Sequence, residues 1–165
     1  MDEMRVYIVN LGKYVEGKDT GAWFQCPVDY EKVKETLELD SGHEEYAIHD
    51  YELPFEVDEY IGIEELNRLC RPVGELNEPI KGALKELIDF CGDLDSLYER
   101  KDDIIYYSGC ETSFDVAYYL VNECGYFGEL SDHVKMYINY AALGRDLELN
   151  REIYDTGKGI FGIPF

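Results

Sequence analysis

Apolar residues recur along this chain first at strand spacing, then at helical spacing, and finally in a mixture of the two. Arg5-Val6-Tyr7-Ile8-Val9-Asn10 is rich in β-formers and stops at Leu11-Gly12, which predicts an opening strand. Gly12 to Gly21 reads as a loop. Ala22 to Cys26 predicts a second strand ended by Pro27, and Asp29 is placed to cap a helix whose apolar positions are Tyr30, Val33 and Leu37. Asp40-Ser41-Gly42 closes that helix, and Tyr46-Ala47-Ile48 predicts a third strand before the break at Pro54.

From Asp58 the spacing becomes helical. Ile61, Leu66 and Leu69 form one stripe, interrupted at Pro72 and Gly74, and Ile80, Leu84, Leu87, Ile88 and Cys91 form another that ends at Gly92, with a short helix over Leu94 to Tyr98 behind it. Ile104 to Tyr107 is β-rich again. Thr112-Ser113-Phe114-Asp115 fits a capping box that opens a helix through Val116, Leu120 and Val121 to Gly125. Ser131 predicts the cap of a further helix holding Val134, Tyr137, Ile138 and Ala141, and the tail from Gly159 to Phe165 reads as extended. The fold class is α+β. Composition shifts near Asp58 and Asp102 suggest three small modules in series: an α/β module over 1–60, a helical middle over 61–103, and a second α/β module over 104–165.

Of the 165 residues 45% are hydrophobic and 15 are tyrosines, enough apolar material for a core. The five cysteines (Cys26, Cys70, Cys91, Cys110, Cys124) are odd in number, widely spaced and without a C-x-x-C pair, so they read as buried reduced thiols rather than a disulfide framework or zinc site. The N-terminal residues lack the basic and apolar regions of a secretory leader, and no apolar run reaches the ~20 residues that span a bilayer. A cytoplasmic protein that avoids membranes is expected.

Charge changes the picture most. Against 15 Lys and Arg stand 36 Asp and Glu, a formal net charge of −21. Direct nucleic-acid binding is disfavoured and a basic partner favoured. Duplex DNA carries roughly one charge per ~1.7 Å, so that charge equals about 36 Å of duplex, comparable with the ~40 Å diameter of a globule of this length.

The acids are also segregated. Between Lys34 and Arg68 no basic residue occurs, while Glu35, Glu38, Asp40, Glu44, Glu45, Asp50, Glu52, Glu56, Asp58, Glu59, Glu64 and Glu65 do. A second base-free interval, from Lys101 to Lys135, holds Asp102, Asp103, Glu111, Asp115, Glu123, Glu129 and Asp132. Ordinary solvated surfaces intersperse the signs, so single-sign runs of this length fit a surface that occupies a basic partner. Tyr46, Tyr51, Tyr60, Tyr118, Tyr119 and Tyr126 interleave with these acids, either as anchors in a partner's pocket or as the edge of a small core.

Other chemistry fails on context. A G-x-G-x-x-G at Gly157, Gly159 and Gly162 has no βαβ unit around it, and a calcium loop beginning at Asp93 and Asp95 has Tyr98 and Ile104 where glycine and the bidentate acid are required. Glu16-Gly17-Lys18 has the E-x-K form of metal nucleases but lies in a glycine-rich turn. His43, His49 and His133 show no zincin spacing, and no nucleophile motif occurs. Neither an enzymatic activity nor a cofactor is expected. The residues by themselves leave open an acidic adaptor for another basic protein and a metal-dependent hydrolase built from clustered carboxylates.

Taken together, Val6 to Tyr14 (VYIVNLGKY), Gly21-Ala22-Trp23-Phe24, Glu45 to Phe55 (EYAIHDYELPF), Asp58-Glu59-Tyr60, Glu64 to Leu69 (EELNRL) and Gly144-Arg145-Asp146-Leu147 resemble the ArdA antirestriction family nearly end to end. The resemblance implies a bacterial protein of mobile elements that inhibits type I restriction-modification enzymes, its carboxylates standing in place of DNA phosphates in the groove of the methyltransferase core. The nineteen acids of the two base-free intervals are then the partner-binding residues. It further implies an elongated three-module subunit and a homodimer. The family's antirestriction stretch maps onto Phe127 to Tyr140 (FGELSDHVKMYINY), with Leu130, Val134, Tyr137, Ile138 and Tyr140 expected at the dimer contact.

Overall fold

The computed structural model describes residues 4–18, 20–42 and 44–163, whose contacts gather into two compact units, Met1–Asn77 and Glu78–Phe165. The first holds a three-stranded antiparallel sheet of order β2-β1-β3, formed by β1 (Arg5–Asn10), β2 (Gly21–Gln25) and β3 (Tyr46–Glu52). Alternation along β1 sends Val6 and Ile8 to the buried side, where they meet Phe24, Ile48 and, from α2 (Tyr30–Thr36), Val33. Asp29 caps α2 as its position predicts, its carboxylate accepting from the backbone N–H of Glu31 and Lys32. Gly21 lies beneath the Tyr7 ring, and a β-carbon there would come within 2.7 Å of that ring and push it aside.

Two features of this unit depart from the sequence reading. The stretch from Gly12, read as a loop, begins inside a short helix α1 (Leu11–Val15). The fully buried Asn10 explains it: the side-chain oxygen accepts from Lys13 N at 3.1 Å to start the helix, and the amide donates to Leu37 O at 3.0 Å, tying it to the end of α2. Helix α3 (Ile63–Glu75) likewise runs through Pro72 and Gly74 instead of breaking. A proline inside a helix costs about 3 kcal/mol, but burying one Val or Leu returns roughly 1.5–3 kcal/mol. The stripe Ile63, Leu66, Asn67, Cys70 and Val73 stays buried across the proline, so packing outweighs propensity.

The second unit starts with α4 (Glu78–Gly82), α5 (Leu84–Cys91) and α6 (Leu94–Glu99), the last two separated at Gly92, whose φ of 104° ends α5. A small antiparallel sheet of order β4-β6-β5 follows from β4 (Ile105–Tyr106), β5 (Ile153–Asp155) and β6 (Ile160–Gly162). The tail glycines Gly157 and Gly159 occupy the β5–β6 hairpin, which confirms the extended reading as far as the described residues reach; Pro164 and Phe165 lie outside them. Helices α7 (Ser113–Asn122) and α9 (Tyr140–Leu149) pack on one another and on this sheet through Val116, Ala117, Leu147, Ile153 and Ile160. The capping box is formed as read: Thr112 Oγ1 accepts from Asp115 N at 3.3 Å and the Asp115 carboxylate accepts from Thr112 N at 2.8 Å.

The helix expected from Ser131 is two. Ser131 caps α8 (Asp132–Lys135), and the chain then leaves helical geometry at Asn139, whose side chain accepts from Ala142 N at 3.0 Å and founds α9. Ala141 thus belongs to the second helix. The Asn139 side chain offers the backbone an alternative to the i→i−4 ladder, and the chain restarts there as a new helix.

Candidate interaction surface

All twelve acids of the first base-free run are exposed, as are those of the second except the half-buried Asp115. Folding supplies a minority of them with cations drawn from outside the runs. The β1–β3 register sets Arg5 opposite Glu52, and the guanidinium donates from Nε at 2.6 Å and Nη2 at 2.7 Å to the two carboxylate oxygens. Glu38 pairs with Lys13 of α1, and Glu65 takes both Nε and Nη2 of Arg68 one turn along α3. Each cation holds its carboxylate below the ordinary range, chiefly through the hydrogen bond. In the second run Asp102 lies 2.9 Å from Lys101.

Some acids serve local turns. Asp40, Asp50 and Asp58 each accept a backbone N–H at 2.8 Å, from Gly42, Tyr51 and Tyr60 respectively. Asp115 is committed to its cap, accepting from the backbone of Glu111 and Thr112 and from the Thr112 hydroxyl, which holds its pKa down. Glu64 and Glu65 stand in the first turn of α3, where the helix dipole favours anions. Glu59 lies 3.6 Å from His49, a partner only when the imidazole is protonated. Among the described residues, Glu35, Glu44, Glu45, Asp50, Glu56, Asp58 and Glu64 make no ion pair in the first unit, nor do Asp103, Glu111, Asp115, Glu123, Glu129 and Asp132 in the second.

Tyr60, Tyr118, Tyr119 and Tyr126 are exposed, whereas Tyr46 and Tyr51 are half-buried and pack on the first core. Tyr46 is structural, its hydroxyl accepting from Ile63 N at 3.1 Å. Sequence reading missed Trp23, which stands exposed on β2 with the Tyr7 ring at 5.5 Å and the Arg5 guanidinium at 4.8 Å; the alternation of β2 was the signal that placed it opposite Phe24.

Of the residues expected at a dimer contact, Val134 and Tyr137 are exposed, and Leu130, Ile138 and Tyr140 are half-buried. Tyr140 is largely engaged within its own subunit, its ring 5.8 Å from Phe114 and 5.1 Å from Tyr118 and its hydroxyl accepting from Asn122 Nδ2. Phe127, Met136 and Tyr137 are exposed by 51%, 81% and 79%.

All five cysteines are free, but only Cys70 is buried: Cys26, Cys91 and Cys110 are half-buried and Cys124 is exposed, because short helices and a three-stranded sheet leave little interior. His43 lies outside the described residues. Among the described residues no group of three or more His, Cys, Asp or Glu is arranged to hold a metal ion, and no helix is long and apolar enough to cross a membrane. Lys18 Nζ reaches Glu16 at 3.4 Å within their turn, and Asp93 caps α6 through Ser96 N at 2.7 Å.

The sequence profile of the antirestriction protein ArdA matches residues 6–162. The chain belongs to the ArdA family. A search among curated proteins finds no match. Membership gives this ArdA-family chain an antirestriction function, makes restriction-modification enzymes the class of protein it acts on, and sets it in a family of antirestriction proteins rather than of enzymes. The match spans both compact units, so the acidic runs and the exposed apolar stretch all lie within the family's region.

Proposed function

We propose that this ArdA-family protein is a DNA mimic that competitively inhibits type I restriction-modification enzymes in the bacterial cytoplasm. Its exposed carboxylates occupy the DNA groove of the methyltransferase core, without a cofactor and without contacting DNA itself. One observation carries the reading: the run from Glu35 to Glu65 contains no Lys or Arg, every acid in it is exposed, and among the described residues Glu35, Glu44, Glu45, Asp50, Glu56, Asp58 and Glu64 make no ion pair. A DNA-binding channel gains affinity by neutralising phosphates and releasing counterions. Carboxylates presented to the same lysines and arginines draw on the same free energy. The exposed apolar residues around Val134, Met136 and Tyr137 support a homodimer joined through Phe127–Tyr140.

The test is displacement of labelled duplex from a purified type I enzyme across a salt series. Competition that is strong at low salt and falls steeply as salt rises is expected. Failure to displace DNA at low salt overturns the proposal.

A further inference from the structure

The first sheet ends at β2, and the phase of its pairing with β1 decides what that edge offers. Cys26 N donates to Met4 O and Asn10 N to Thr20 O, both at 2.9 Å, in a register that sets Val6 opposite Phe24 and Ile8 opposite Ala22. Residues 20, 22, 24 and 26 therefore turn their backbone groups toward β1, and Gly21, Trp23 and Gln25 turn theirs outward. Among the described residues those outward N–H and C=O groups meet no hydrogen-bond partner. The opposite edge is occupied by the chain itself, Ile48 of β3 donating its N–H to Glu59 O at 2.8 Å. Edge strands are commonly guarded by charge or proline, yet β2 reads GAWFQ and has neither.

A cleft of about 660 Å³ opens beside this edge. Trp23, Gln25, Cys26 and Pro27 form one wall and Lys32 and Thr36 the other, and among the described residues none of β1 borders it.

We propose that the free edge of β2 takes up an extended cationic segment of another polypeptide as an added strand. Gly21, Trp23 and Gln25 supply the main-chain hydrogen bonds. Side chains of an added strand point alternately to the two faces. Those on the core side enter the cleft between β2 and α2 and are apolar. Those on the outer side stand beside Trp23, which is 40% exposed, and are lysine or arginine. The Trp23 ring accepts such a group, since the Arg5 guanidinium already lies 4.8 Å from its centroid. Acids outnumber bases more than two to one over Met1–Asn77, so the field of this unit draws a cationic segment and repels a second copy of the same acidic chain. The edge is separate from the carboxylates assigned to the DNA groove and acts whether or not they bind there.

Trp23 is the single tryptophan of the chain, so its emission reports this edge directly. The full chain is titrated with a labelled peptide of alternating lysine and valine, followed by Trp23 emission and by the anisotropy of the label. A saturable change in Trp23 emission is expected, in step with the anisotropy. Methylating the backbone nitrogens of the peptide keeps its charge and removes its main-chain donors, and weakens binding on the order of tenfold or more. Gln25→Pro removes one outward donor and sets a ring in the path of an added strand, a change that an edge strand tolerates. It is expected to weaken binding by a similar factor with the urea midpoint little changed. The methylated peptide decides on the wild-type chain even where Gln25→Pro fails to fold. Equal binding of the methylated peptide, or equal binding by folded Gln25→Pro, overturns the proposal. So does binding seen by anisotropy with Trp23 emission unchanged, or no binding at all. Self-assembly of the wild-type chain that excludes the peptide and is lost in Gln25→Pro assigns the edge to a second copy instead.

Discussion

Gly144 of α9 rests on the backbone of Ser113 at the start of α7: a β-carbon at Gly144 would stand 2.7 Å from both the carbonyl carbon and oxygen of Ser113. Backbone cannot swing aside as a side chain does, so the α7–α9 crossing admits only glycine. Gly144→Ala is expected to lower stability by about 1–3 kcal/mol, the usual cost of overpacking. Urea denaturation measures it, and a midpoint equal to wild type refutes the close-approach account.

Asn67 is one of two buried polar residues in the described chain, and its amide satisfies both backbone groups of Val28. In Asn67→Ala a buried N–H and a buried C=O lose their partners together. Each such loss costs roughly 1–3 kcal/mol, so a total of about 2–6 kcal/mol is expected by chemical denaturation, with α3 loosened from the sheet. Faster amide exchange across α3 than across α7 is the accompanying signature.

Arg5 and Glu52 are both about half exposed, and their pair is expected to matter more for charge than for stability. Arg5→Gln leaves the unfolding midpoint almost unchanged and releases Glu52, adding one uncompensated acid to the first unit. Competition with DNA for a type I enzyme is therefore expected to be equal to or stronger than wild type at low salt. Weaker competition with an unchanged midpoint rejects the charge argument.

The acid side of the stability curve follows from the caps. Hydrogen bonds from Thr112 lower the Asp115 pKa beneath its ordinary 3.8, and Ser96 does the same for Asp93. A carboxyl group depressed in the folded state binds protons more readily when unfolded. Its stabilisation is thus complete above the unfolded value and is lost as pH falls below 3.8 through the folded value. Asp115→Asn is expected to be less stable than wild type at neutral pH, with the difference shrinking as pH falls below 3.8. Urea midpoints from about pH 7 to pH 3 measure this, and the difference between the two proteins cancels the general relief of self-repulsion on acidification. A difference that does not change with pH removes the carboxylate from the explanation.

For the acidic surface, distributed action predicts that Glu45→Gln or Asp58→Asn alone barely changes inhibition. Changing Glu44, Glu45, Glu56 and Asp58 together is expected to weaken it on the order of tenfold, since exposed charges contribute a few tenths of a kcal/mol each and sum. Inhibition constants at fixed salt decide it. Loss of activity from one of these changes, with fold retained, points to a localised site instead.

Local chemistry was readable in advance wherever a residue acts on its own neighbours. Arg5–Asn10 forms a strand because β-formers run unbroken, Asp29 caps α2, and the Thr112–Asp115 box closes on itself within four residues. Exposure of the acids followed from the cost of burying an unpaired charge. The order and spacing of short stretches also carried the family, through VYIVNLGKY and EYAIHDYELPF, although no single stretch carries chemistry.

What the chain alone did not disclose depends on partners distant in sequence. Helix α1 exists because Asn10 reaches Leu37, and α3 passes Pro72 because its far end has a core to enter. Glu38 and Glu52 are neutralised by Lys13 and Arg5, which no inspection of the base-free interval reveals. Asn67 of α3 grips Val28, far away in sequence, through both its oxygen and its amide. The sequence determined which residues would be charged, capped or extended, since those preferences are local free energies. Tertiary structure alone decided which charges gain a partner, because that depends on distances that only long-range packing sets.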